Sequence, residues 1–173
     1  MTSAAAGLFL VAPAGLSPAL AARLGALLQR RLLDPLPGSA QAPEQQLQQL
    51  LDLPGGWLQP LAVDPASDLS ERVPASCWAE LLGAWRFRTC LLVSEEDRRS
   101  GRARSQVVLL QHYKVPLLGV VQCGGPWQPQ ARRRDGLPWL GWLADAQADP
   151  VEALEEEREL QRLLRLRLGP AGL

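Results

Sequence analysis

Thr89-Cys-Leu-Leu-Val-Ser94, Ser100-Gly-Arg-Ala-Arg-Ser-Gln-Val-Val-Leu-Leu-Gln-His-Tyr113 and Val115-Pro-Leu-Leu-Gly-Val-Val-Gln122 follow one another with little between them. The first is an apolar run of the length expected for a strand buried on both faces. In the second the period changes: Ala103, Val107 and Leu110 fall at i, i+4 and i+7, one apolar stripe of a helix. The third is another buried strand, with Pro116 at its start, where a missing N–H need not break a ladder. Two apolar strands bridged by an amphipathic helix imply parallel pairing and a right-handed crossover. This β-α-β unit sets the expected fold class: α/β, a mostly parallel sheet flanked by helices, in a single domain.

The 173 residues suffice for one domain with a full core, and two would be cramped. Eighteen basic and 18 acidic residues leave no formal net charge, so nothing favours nucleic acid or an anionic membrane as a bulk partner. Lys114 is the only lysine and His112 the only histidine, which removes two of the commonest catalytic side chains from most of the chain. Cys77, Cys90 and Cys123 are odd in number and lack a Cys-x-x-Cys spacing. They read as core thiols of a reducing, cytoplasmic protein, with ligands or a disulfide as the alternative. Residues 1–22 contain an apolar, Ala-rich stretch but no positive leading segment, and Pro13 and Gly15 interrupt it. They read as a strand rather than an export signal. No run is long enough to span a membrane.

Working outward, Gly7-Leu-Phe-Leu-Val-Ala12 is the first strand, and Ser17-Pro18 opens a helix as N-cap and first residue. Leu20, Leu24, Leu27, Leu28 and Leu32 form its apolar stripe, and Arg30 and Arg31 suit its negative end. Strand, glycine-containing loop and helix are the layout of a phosphate cradle. A working cradle also needs clustered glycines and a Lys-Ser/Thr pair. Only Gly15 and Ser17 could serve here, so a plain β-α turn is the competing reading. A linker over 33–42 leads to a short helix over 43–52, with Leu47, Leu50 and Leu51 on one side. Trp57-Leu-Gln-Pro-Leu61 is a short extended segment, residues 64–76 form a polar loop, and residues 77–85 form a helix of about two turns. Arg132, Arg133 and Arg134 form a basic loop cluster, read as solvated surface with an anion site as the alternative. Leu137-Pro-Trp-Leu-Gly-Trp-Leu143 is a last strand. Asp149 caps a final helix whose apolar side is Val151, Leu154, Leu160, Leu163, Leu164 and Leu168. That side is expected on the protein's own sheet, or else on a partner chain.

Two stretches carry a resemblance. Asp52-Leu-Pro-Gly-Gly-Trp-Leu-Gln-Pro-Leu61 resembles the Glu-Gly-Ala-Gly-Gly-(Trp/Leu)-Leu-x-Pro-Leu segment of the dethiobiotin synthetases, and residues 90–121 resemble their strand-helix-strand spacing. Leu137-Pro-Trp-Leu-Gly141 is similar to a late strand of the same family. The match covers residues 52–143; residues 7–33 fit by position, 34–51 are a shortened linker and helix, and 149–168 are the last helix. The resemblance implies a P-loop-NTPase-like fold, ATP and magnesium as cofactors, and a homodimer. It places a phosphate-loop remnant at Gly15 and Ser17, a possible metal ligand at Asp52, and a glycine turn at Gly55 and Gly56. The adenine-reading position falls on Cys123, which lacks an amide's paired donor and acceptor. The family's phosphate-loop lysine and threonines have no counterpart here, and phosphoryl transfer depends on such groups for charge stabilisation. The expectation is therefore a dethiobiotin-synthetase-like domain that has lost ATP-dependent catalysis and acts as a non-catalytic binding or regulatory protein. Protein contacts would run through the final helix and exposed tryptophans, Trp127, Trp139 or Trp142. The alternatives are an aberrant ATP-dependent synthetase, or a nucleotide or metabolite sensor without turnover.

Overall fold

Leu8 and Leu10 of the first strand pack into one hydrophobic layer, while Phe9 and Val11 pack into another. This period-2 alternation means that both faces of a central sheet are covered. The computed structural model describes residues 7–13, 15–36, 43–69 and 75–169. Its strands are β1 (Gly7–Val11), β2 (Arg31–Leu32), β3 (Trp57–Pro60), β4 (Thr89–Ser94), β5 (Leu117–Cys123) and β6 (Trp139–Leu143). Its helices are α1 (Pro18–Leu28), α2 (Pro43–Leu51), α3 (Trp78–Ala84), α4 (Glu95–Arg99), α5 (Arg102–His112), α6 (Pro129–Arg134) and α7 (Pro150–Leu168). The six strands form one sheet in the order β2-β3-β1-β4-β5-β6, and every pairing is parallel.

Helices α2, α3 and α5 cover one face, contributing Leu47, Trp78, Leu82, Val107 and Leu110 to a layer with Phe9, Trp57 and Phe87. Helices α1 and α7 cover the other, where Leu24, Leu28, Leu160 and Leu164 meet Leu58, Cys90 and Leu92. Arg23 fastens these two helices together, donating to the Ala144 carbonyl and to the Glu157 carboxylate. The expected α/β class and the β4-α5-β5 unit are present, with Ala103, Val107 and Leu110 buried as the spacing implied.

Local expectations are corrected or sharpened at six points. Helix α1 stops at Leu28 because Gln29 turns left-handed (φ 54°) and Arg30 N–H closes back on the Gly25 carbonyl. Leu32 therefore leaves the helical stripe and joins the edge strand β2. The extended segment at Trp57 is the wholly buried strand β3, lying between β2 and β1. Residues 95–113 form two helices rather than one beginning at Ser100, because Ser94 caps α4 directly off β4. The Arg132–Arg134 cluster lies in helix α6, with Arg132 buried. Trp142, read as an exposed contact residue, is also buried, whereas Trp127 and Trp139 are half-buried. The predicted apolar side of α7 divides: Leu160, Leu164 and Leu168 are buried, while Val151 and Leu154 face solvent. Parts of the expected linker (37–42) and polar loop (70–74), the opening residues 1–6, Ala14 and residues 170–173 lie outside the described residues.

Candidate functional site

From β1 the chain crosses through α1 to β2 on one side, and from β4 it crosses through α5 to β5 on the other. The loops leaving the carboxyl ends of β1 and β4 therefore diverge and leave a crevice between them, the usual ligand position of an open parallel sheet. A cleft of about 320 Å³ occupies it, lined by the β1–α1 loop, the start of α4, Arg102 of α5 and Cys123 at the end of β5.

On the β1 side, Gly15 adopts φ +80°, and its N–H donates to the Ala12 carbonyl at 3.2 Å. A side chain there would be strained, and its Cβ would lie 2.9 Å from the Ala62 carbonyl oxygen. Ser17 takes the extended N-cap conformation with Pro18 behind it, yet its hydroxyl makes no capping bond. On the β4 side the cap is complete. The Asp97 N–H donates to Ser94 Oγ at 3.1 Å, and Asp97 Oδ2 accepts from the Ser94 N–H at 2.9 Å and from Ser94 Oγ at 2.7 Å. Arg102 Nη1 lies 4.0 Å from the other Asp97 oxygen, with 65% of its side chain exposed. Glu96 adds a second carboxylate to the lining. Burial pushes the Cys123 thiol up to about 12, with Arg23 pulling the other way, so it stays protonated at neutral pH. A protonated thiol is a poor nucleophile and a poor metal ligand.

The structure brings Gly15, Ser17 and Cys123 together and leaves Asp52, Gly55 and Gly56 elsewhere. Trp57 pairs with Gly7 at the amino ends of β3 and β1, so the residues before it sit at the sheet edge opposite the cleft. There the Gly56 carbonyl accepts from the Arg31 N–H at 3.2 Å, and Asp52 is solvent-exposed. The four residues of β3 separate the two groups by roughly 13 Å. Among the described residues, no three carboxylate, thiol or imidazole side chains gather where they could hold a metal ion.

Two of the cations that could oppose phosphate charge, Arg132 and Arg104, are engaged elsewhere. Arg132 is 3% exposed and is held through its Nε and Nη2. Its Nε and Nη2 donate to Gln122 Oε1 at 2.8 and 2.6 Å, and Nη2 also donates to Glu95 Oε2 at 2.9 Å. Its guanidinium carbon lies 5.8 and 5.4 Å from the ring centroids of Trp127 and Trp139. Arg104 donates to the Asp135 carbonyl on the outer side of α5. Arg102 is the arginine that lines the cleft, facing Glu96 and Asp97. A magnesium–nucleotide complex does not fit this set: one carboxylate is committed to Ser94, the other acid is rim-exposed, and the acids outnumber the guanidinium. The cleft can instead offer Ser17 Oγ, first-turn N–H groups of α1 and one cation to a small polar molecule.

Sequence reasoning singled out Gly15 and Ser17 through the strand-loop-helix layout and Cys123 through the family resemblance, but missed Ser94, Glu96 and Asp97. The missed signal was present: Ser94 and Asp97 have capping-box spacing immediately after an apolar strand. No protein-family model matches the chain, and no characterised protein is significantly similar to it.

Proposed function

We propose that this chain is a dethiobiotin-synthetase-like domain without ATP-dependent catalysis, working in the cytoplasm as a non-catalytic binding or regulatory protein. The observation that carries this reading is the charge of the cleft, where Glu96 and Asp97 face the single guanidinium of Arg102. Developing phosphate charge needs clustered donors and cations that act more strongly in the transition state than in the ground state. Here the carboxylates repel that charge, and Asp97 Oδ2 already accepts from the Ser94 N–H and hydroxyl. The volume of the cleft lies at the lower end of the range for small-molecule sites, which supports ligand sensing without turnover as a form of the same reading.

The test is calorimetric titration of folded protein with magnesium–ATP, followed by an assay for ADP release in the presence of diaminopelargonate and bicarbonate. The expected result is no saturable heat up to millimolar nucleotide and no ADP above the protein-free rate. Saturable binding with turnover, abolished by Arg102→Ala, would overturn the reading and restore the aberrant-synthetase alternative.

A further inference from the structure

The loops that leave the carboxyl ends of β5 and β6 flank a second cavity, of about 330 Å³, which shares no residue with the cleft. Pro126 and Trp127 border it on the β5 side, Trp142 and Asp145 on the β6 side, and Glu152 from the first turn of α7 completes it. Buried Trp142 forms its base and half-buried Trp127 a wall. Among the described residues that line it there are two indole rings, two carboxylates and no basic side chain. The adjoining hollow between α6 and α7 also touches Trp127, but there Arg132 and Arg133 stand beside Glu156 and Glu159, so its charge is mixed.

The cavity is built before any ligand arrives. Gly124 and Gly125 are successive left-handed residues (φ +68° and +64°), a turn that folds Pro126 and Trp127 back over β6. Gln122 Nε2 donates to the Gly124 and Pro126 carbonyls at 2.9 and 3.1 Å, and Trp142 Nε1 donates to the Gly124 carbonyl at 3.3 Å. Asp145 Oδ2 accepts from the Gly125 N–H and Oδ1 from the Gln147 N–H, both at 3.0 Å. These backbone donors, Gly125 first, hold the Asp145 carboxyl below its ordinary value, so it is charged at neutral pH. Two sources of opposing positive charge are already answered. Asp149 Oδ1 accepts from the Val151 and Glu152 N–H groups at the positive end of α7, and Arg23, which reaches the Ala144 carbonyl, is paired with Glu157.

Two tryptophan rings beside uncompensated negative charge form a site for a cation, because the ring quadrupole and the carboxylates attract it together. Both Asp145 oxygens already have a donor, so the residue supplies charge rather than vacant acceptors. A cation without N–H groups of its own suits that arrangement. We propose that this cavity binds the quaternary ammonium group of a small molecule, against Trp127 and Trp142, with Asp145 and Glu152 supplying the counter-charge. The volume, at the lower end for small-molecule sites, suits a compact head group. This inference holds whatever the cleft binds.

The test is titration of the protein with choline chloride into the millimolar range, read by tryptophan fluorescence against potassium chloride of equal ionic strength. Saturable binding is expected for choline, and binding at least about tenfold weaker for 3,3-dimethylbutan-1-ol, which has the same shape without the charge. Trp127→Leu and Glu152→Gln should each weaken choline binding by about threefold or more. Glu152 is exposed, so its variant keeps the test decisive should Trp127→Leu disturb the fold. No saturable choline signal overturns the proposal, as does equal binding of the neutral alcohol or a Glu152→Gln protein that binds as the natural chain does. A trimethyllysine peptide that binds more than about tenfold tighter than choline overturns the small-molecule assignment.

Discussion

Arg132 shows how little a string of like residues discloses about any one of them. In Arg132, Arg133 and Arg134 nothing local separates the three, and the whole run has the composition of a solvated surface. The phase of α6 turns Arg132 inward, where Gln122 and Glu95 satisfy it and two tryptophan faces flank it. Replacing it with Met leaves Gln122 Oε1 buried without its donor, so stability should fall by about 2 kcal/mol in urea denaturation. Lysine should not rescue the loss, because its single ammonium cannot reproduce the forked contact; recovery by Arg132→Lys would remove the geometric argument. Glu156 carries a titration signal of the opposite kind. Burial, and then the carboxylates of Glu152, Glu159 and Glu155, push its carboxyl above the ordinary glutamate value. The folded state thus holds the proton more tightly than the unfolded chain. The stabilisation this supplies is complete below the unfolded value of about 4.3 and is lost as pH rises through the raised folded value. Glu156→Gln is expected to raise the melting temperature at neutral pH and to leave it unchanged below about pH 4. Equal shifts at both pH values would show that repacking, rather than charge, is responsible.

Two serines compare what an element requires with what its sequence suggests. Both Ser17 and Ser94 precede a helix and both have N-cap backbone conformation, but only the Ser94 side chain caps its helix. Ser94→Ala removes bonds to the Asp97 N–H and carboxylate and should cost about 1–2 kcal/mol. Ser17→Ala should cost only a few tenths in the same denaturation series, in keeping with an exposed hydroxyl that makes no capping bond. A similar cost for both would mean that the Ser94–Asp97 box contributes nothing beyond helix propensity. The same contrast explains which elements were legible. Strands β4 and β5 are uninterrupted apolar runs, and α5 has a clear stripe, so pattern alone located them. Helices α4 and α6 contain almost no apolar residues, and hydrophobic periodicity cannot register them. Their signals are Ser94 with Asp97, and Pro129 at the first helical position. Strand β2 was hidden for the reverse reason: Leu32 continues the leucine spacing of α1, and only the left-handed Gln29 reveals the break.

The parallel sheet divides the molecule into two apolar layers, and this explains both what could be read of the cleft and how the protein should unfold. The cleft lies at the carboxyl edge because of strand order, and strand order is not visible in any one segment; hence Gly15 and Cys123 were singled out but not their neighbours Ser94 and Asp97. Asp52, Gly55 and Gly56 were grouped with them on a local resemblance, although β3 runs away from them toward the other edge. Cys77 belongs to the layer under α2, α3 and α5, and Cys90 to the layer under α1 and α7; they are 6% and 1% exposed. Burial drives the Cys90 thiol far above its ordinary value, so the native protein should protect it from alkylation. Because the strands carrying these layers alternate their side chains between them, neither layer can lose its core while the sheet stays intact. Pulse alkylation across a urea series, read by peptide mass, should therefore show Cys77 and Cys90 becoming reactive at the same midpoint. That midpoint should coincide with the loss of helical circular dichroism. If Cys77 becomes reactive at a distinctly lower urea concentration, the α3 layer opens as a separate unit and the two faces are stabilised independently.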